Sequence, residues 1–264
     1  MLTHLWLFAV AALGGALNAV AGGGSFFTLP ALIYVGVSPV SANATSTLAM
    51  WPGALASAVA YRREIAPIRH WLAALGGISL VGGWLGGELL VKTSDTRFLA
   101  LLPWLMLAAV VTFTFGGDVT AFLRRWPVGS ESAEGPVGSA VTPTRMSRPP
   151  VWIIGLQLGI ALYGGYFGGG MGMMMLAALS LAGLTNIHEM NGLKVLLAVA
   201  INGVALLAFI INGAIAWDPG LVMVAGGITG GYCGAWLGRR GGAAAVRVLV
   251  MTVGWMMTAY FFVR

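Results

Sequence analysis

LWLFAVAALGGALNAVA (residues 5–21) runs without a charge into Gly22-Gly23-Gly24-Ser25, and FFTLPALIYVGV (26–37) follows at once. The first run approaches the ~20 apolar residues that a bilayer span needs, whereas the second is too short for an ordinary span. Three glycines in a row between them predict a helix break, because glycine adopts backbone conformations that other residues avoid. The same order recurs further on. The apolar run 152–167 leads into Gly168-Gly169-Gly170, and a second short apolar piece occupies 173–184.

Outward from these two breaks, long apolar segments occupy 44–61, 71–91, 98–115, 192–211, 221–237 and 246–263. With the runs that precede the glycines, they predict about eight long transmembrane helices and two short broken or re-entrant segments. Composition agrees: 58% of the 264 residues are hydrophobic, 8% are charged, and the mean hydropathy is +0.89. A soluble domain carries roughly 25% charged residues. Lipid must therefore solvate most of the chain, which predicts an all-α polytopic membrane protein with no room for a further soluble domain. The first run has no Lys or Arg before it, and more spans follow, so it reads as a retained helix and not as a cleaved signal.

Between the two sets of spans the composition changes. Arg124, Arg125, Glu131, Glu134, Arg145 and Arg148 stand among Gly, Ser and Pro, ending in Pro149-Pro150. This predicts a cytoplasmic linker at 117–150 between an N-terminal membrane repeat, 1–116, and a C-terminal one, 151–264. The two glycine triplets are offset by 146 residues. Asn43-Ala44-Thr45-Ser46 then aligns with Asn191-Gly192-Leu193-Lys194, Gly53 with Gly203, and Gly82 to Gly86 with Gly234 to Gly238. Identity is weak but order is kept, as expected of an ancestral duplication.

The net charge of +6 lies in loops, which fits a membrane topology signal and not nucleic-acid binding. Arg62, Arg63, Arg69, Arg124, Arg125, Arg145, Arg148, Arg239, Arg240 and Arg247 fall on one side, which the positive-inside rule makes cytoplasmic; Lys92, Arg97 and Arg264 fall on the other. The Arg62 loop then faces inward while its counterpart near 212–218 faces outward. Two inverted-topology repeats follow, with both termini outside the cytoplasm. Broken helices in inverted repeats are a recurrent plan of secondary transporters.

The candidate site starts from the glycines. Gly22, Gly23, Gly24, Gly168, Gly169 and Gly170 let backbone amides approach a ligand, and a helix that begins there points its positive end at it. Tight helix packing is the alternative reading of membrane glycines. Asn18, Ser25, Thr28, Asn43, Thr45, Ser46 and Thr47 offer amide and hydroxyl donors, or else bonds between helices. Asn191 and Lys194 open the equivalent helix of the second repeat, and Asn202 lies about two turns deeper on a similar face, where a bond between helices is the alternative. Lys194 is the rarest feature, an ammonium at the start of a long apolar helix. It is a counter-ion for an anion, a part of proton coupling, or a side chain that snorkels to the interface.

Other chemistries find less support. Met171, Met173, Met174 and Met175 have no His or Cys beside them to make a soft-metal site. Glu88 near Lys92 reads as an interfacial pair or a part of proton coupling. A lone Cys233 excludes an intramolecular disulfide and a cysteine metal cluster. His4, His70 and His188 all stand at predicted membrane edges, so no catalytic constellation forms and no enzyme is predicted. No nucleotide loop is present and no cofactor or metal is implied.

Residues 22–30 followed by Ser41-Ala42-Asn43-Ala44-Thr45-Ser46 resemble the first-half signature of the TauE/SafE family of sulfite and organosulfonate exporters. The run Asn191-Gly192-Leu193-Lys194-Val195-Leu196-Leu197, then Asn202 and Trp217, is similar to the second-half pattern in one branch of that family. Gly192-Leu193-Lys194 departs from the small-Thr-Ser pattern of many members. The resemblance covers nearly the whole chain. It implies a transporter of the bacterial inner membrane that moves sulfite, a sulfonate or another small organic anion, driven by a proton or sodium gradient. A passive anion channel is the rival reading.

Overall fold

The computed structural model describes residues 1–20, 23–60, 69–123, 149–184, 186–237 and 243–263. These form ten helices: α1 (Leu2–Val20), α2 (Ser25–Tyr34), α3 (Pro39–Ala60), α4 (Arg69–Lys92), α5 (Asp95–Leu123), α6 (Val151–Tyr166), α7 (Met171–Leu181), α8 (Ile187–Ile211), α9 (Trp217–Leu237) and α10 (Ala243–Val263). Each covers one of the ten apolar segments read from the sequence, and no strand occurs among the described residues. Gly22, residues 124–148 of the linker, Arg62, Arg63, Arg239, Arg240 and Arg264 lie outside the described residues.

Four stretches are long and apolar enough to cross a membrane: Leu2–Ala19, Arg69–Lys92, Asp95–Gly116 and Ile187–Ile211. Trp6, Leu85, Trp104, Leu207 and Tyr260 stand exposed on the outside, where hydrocarbon and not water suits them. Together with the further apolar helices this is a multi-pass membrane protein.

α6 has 16 residues, about 24 Å of helix, which is less than the ~30 Å of a hydrocarbon core. It stops at the glycine break and the chain turns back, with the Met171 thioether seated on Gly164. α1 and α2 fold back in the same manner. A Cβ on Gly14 would lie 3.1 Å from the Thr28 methyl and 3.2 Å from the Gly24 carbonyl. Gly23–Gly24 and Gly168–Gly170 thus lie at the tips of two helical hairpins.

The two halves are interleaved through α4 and α9. Gly82 and Gly86 place one face of α4 on Ala161, Leu162 and Gly165 of α6, while Gly83 and Gly87 place a second face on Ile201 and Ala205 of α8. The matching helix α9 lays Gly226, Gly230 and Gly234 on α1, from Phe8 to Ala16, and Gly220 and Gly227 on α3, at Thr45 and Ala49. Such small-xxx-small lines admit a neighbouring backbone, and dispersion between close-packed atoms then holds the helices together where no hydrophobic force acts. A buried bond from Gln157 Nε2 to Ser79 Oγ, 2.8 Å, adds to the α4–α6 contact.

Running directions follow from these contacts. α4, α6 and α8 run one way, because rising positions on one meet rising positions on the others. α1, α3 and α9 also run together. α3 opposes α8: Thr45 accepts from the Ala216 amide beyond the end of α8, whereas Trp51, further along α3, donates to the Val199 carbonyl within it. α5 and α10 run against each other too, with Trp104 edge-on to Phe262 at 5.1 Å and Trp255 donating to Thr114.

Gly230→Val would drive its Cβ into the Ala12 carbonyl, whereas Gly155→Val meets no atom within 4 Å of the Cβ. Overpacking costs about 1–3 kcal/mol or more. Thermal unfolding in detergent should show a markedly lower midpoint for Gly230→Val and little change for Gly155→Val; equal midpoints would refute the α1–α9 contact.

Candidate functional site

The second hairpin tip is built on two left-handed glycines, Gly168 at φ +82° and Gly170 at φ +77°. A side chain at either position is strained, and a Cβ on Gly170 would also lie 2.7 Å from the Ala109 backbone. The Tyr163 hydroxyl is shared between the carbonyls of Gly169 (2.8 Å) and Leu105 (3.1 Å), tying the tip to α5. α7 begins at once, and no side chain caps it. Among the described residues the amides of Gly169, Gly170, Met171 and Gly172 have no protein acceptor, whereas those of Met173 and Met174 bond to the Gly170 carbonyl. Four donors at a positive helix end are the ordinary makings of an anion seat.

The first tip reaches the same place. Asn18, Gly23, Ser25 and Phe26 from α1 and α2 line one cavity with Phe167 to Met173 from the second tip, and its volume is about 290 Å³. Two helices wall it. From α8 come Asn191, Lys194, Ala198 and Asn202, spaced so that they share one face. From α3, which runs the other way, come Thr47, Met50, Ala54 and Ser57, again one face.

Lys194 is the one charged side chain of this lining among the described residues. Its ammonium donates to Asn191 Oδ1 at 3.1 Å and has no carboxylate partner among the described residues. Its stem passes beside Gly172, 3.4 Å from where a Cβ would stand. Asn18, Ser25 and Asn202 have no side-chain partner within the protein among the described residues, so their donors remain available. Among the described residues, a cation, free amide and hydroxyl groups, unpaired backbone amides and no acidic group make a cavity suited to an anion.

Of the residues singled out in the sequence, Asn18, Gly23, Ser25, Thr47, Gly168, Gly169, Gly170, Asn191, Lys194 and Asn202 line this cavity. Thr28, Asn43, Thr45, Ser46 and Gly24 do not. Thr28 and Ser46 bond each other at 2.6 Å, Asn43 donates to the Tyr166 carbonyl, and Thr45 accepts from the Ala216 amide. Gly24 is where α2 touches Gly14 and the Met50 sulfur. Ser57, Met50, Ala54, Ala198 and Phe167 line the cavity without having been singled out. Ser57 was legible as the polar member of the face begun by Thr47. Met171 lines the cavity and its sulfur packs on Gly164, and Glu88 lies elsewhere, holding Lys92 and Asn212.

Known proteins resemble the chain from end to end. Residues 7–261 match the family described as "Sulfite exporter TauE/SafE". A "Probable membrane transporter protein" of Haemophilus influenzae is 29% identical over 262 residues, covering 96% of this chain and 92% of the relative. The "Probable membrane transporter protein YfcA" of Escherichia coli K12 is 28% identical over 256 residues, covering 96% and 87%. "Probable membrane transporter protein ORF9" of a Sinorhizobium species is 28% identical over 253 residues, covering 94% and 88%. No solved structure matches.

The lining is testable by thiol labelling, after the exposed Cys233 is replaced by serine. Asn202→Cys should react with a small charged methanethiosulfonate reagent, and the buried Ser46→Cys should not. Equal reactivity at both would refute the placement of the cavity.

Proposed function

The chain belongs to the sulfite exporter TauE/SafE family, and we propose on that premise that it is a secondary transporter exporting a small sulfur oxyanion, sulfite or an organosulfonate, across the bacterial inner membrane. The observation that carries this reading is the cavity shared by the two hairpin tips, in which, among the described residues, Lys194 is the one charged group and Asn18, Ser25 and Asn202 are unspent. A desolvated anion there exchanges its hydration shell for amide, hydroxyl and ammonium donors, each charge-assisted bond being worth about 1.5–3 kcal/mol.

The transport cycle in this proposal rests on inverted repeats. The opposed directions of α3 and its counterpart α8, of the α4 group and the α9 group, and of α5 and α10 support that arrangement. Eight long helices and two re-entrant hairpin arms then make up the membrane part, with the loop arginines inside and both termini outside. Rocking of α1, α3 and α9 against α4, α6 and α8 would open the shared cavity to each side in turn. A proton or sodium gradient drives the movement, and the names of the relatives agree with transport in preference to catalysis.

Reconstitution in liposomes tests this. Sulfite or a simple sulfonate should move saturably, show counterflow, and respond to a proton or sodium gradient. Lys194→Ala should weaken apparent affinity by about 10- to 100-fold, from the loss of one charge-assisted bond. Flux without saturation or counterflow would mean a channel, and no flux of any of these anions would end the substrate claim.

A further inference from the structure

The two halves supply equivalent positions around the cavity, and those positions are not alike. The offset of 146 between the glycine triplets puts Phe26 where Gly172 stands and Thr28 where Met174 stands; the alignment of Asn43 with Asn191 puts Ser46 opposite Lys194. Resting on the anion-transport reading, we propose that the cavity seats one anion only, in the second half, between Lys194 and the turn Gly169–Gly172, and that the first half closes its own equivalent place with protein.

In the second half Gly172 carries no side chain, which leaves a lane along the lysine stem. Its amide is one of the four without a protein acceptor, and the ammonium has spent one of its three donors, on Asn191. In the first half the aligned position carries a phenylalanine, Phe26, 2% exposed, whose ring edge lies 3.8 Å from where a Cβ on Gly254 would stand. The hydroxyls of Thr28 and Ser46 are buried and bond each other at 2.6 Å, and Thr28 also reaches the Gly24 carbonyl at 3.2 Å. That pair is satisfied and neutral, so it offers an anion neither charge nor a free donor. One half is a cationic seat with an open lane; its counterpart is a plugged copy. A second anion beside the first would be repelled across a short distance of low dielectric with no second cation to offset it.

Calorimetric titration of the purified protein with sulfite and, separately, methanesulfonate tests the assignment. We expect one anion per chain. Gly172→Phe, which copies the first half, should weaken binding by about tenfold or more with an unchanged thermal midpoint. Gly172→Ala, whose Cβ would make an ordinary contact with the lysine stem, should fold even where the phenylalanine variant does not, and should weaken binding less. Ser46→Ala should leave affinity within about twofold, as expected of a group that touches no ligand. Two anions per chain, or unaltered affinity in a folded Gly172→Phe protein, overturns the single seat while the transport reading stands. An unaltered protein that neither binds nor moves these anions overturns both.

Discussion

Close contact between helix backbones at the glycine faces of α4 and α9 is the constraint on which the rest of this structure depends. In lipid there is no hydrophobic gain from bringing two apolar helices together, so association relies on how closely they approach. α4 carries two glycine lines on adjacent faces, one for α6 and one for α8, and α9 carries two for α1 and α3. A helix with one such line joins a pair; a helix with two joins a trio. Because α4 comes from the first half and holds helices of the second, and α9 does the reverse, neither trio belongs to one half of the chain.

The cavity follows from that exchange. Each trio contains the outgoing arm of one hairpin, α1 or α6, and one long wall, α3 or α8. Locking each arm beside its wall directs the two tips toward one another, and the polar faces of α3 and α8 complete the enclosure. Among the described residues of the tips the left-handed turn positions are Gly168 and Gly170, and the Tyr163 hydroxyl holds the second tip against α5. Chemistry at the tips is therefore mainly backbone chemistry, with Lys194 adding the charge.

Much of this was legible in the sequence, for reasons that differ between fold and site. Every helix shows as an apolar run, since lipid leaves the backbone few other conformations. Both tips show as triple glycines. Partner choice does not show: Gly82 to Gly87 says that something comes close to α4, but not that it is α6 and α8. Among site residues, Lys194 and Asn202 stood out because polar groups are rare in such helices. The same rarity drew attention to Thr28, Asn43, Thr45 and Ser46, which spend their groups on other parts of the protein. A hydroxyl that bonds a neighbouring helix and one that faces a cavity leave the same mark on a sequence. Ser57 leaves a fainter mark, a small residue at helical spacing from Thr47 within the run Ala54-Leu55-Ala56-Ser57-Ala58-Val59-Ala60.

The exchanged helices also bear on how the protein is made. A ribosome releases α4 long before α6 and α8 exist, so the nascent first half carries two glycine faces with no backbone to receive them. Its own helices α1 and α3 likewise wait for α9, which comes almost last. The glycine-face contacts of α4 and α9 can consequently form only after the second half is made, whereas α1, α2 and α3 already have contacts with one another. A chain stopped before α6 would leave both glycine faces of α4 without the helices they hold.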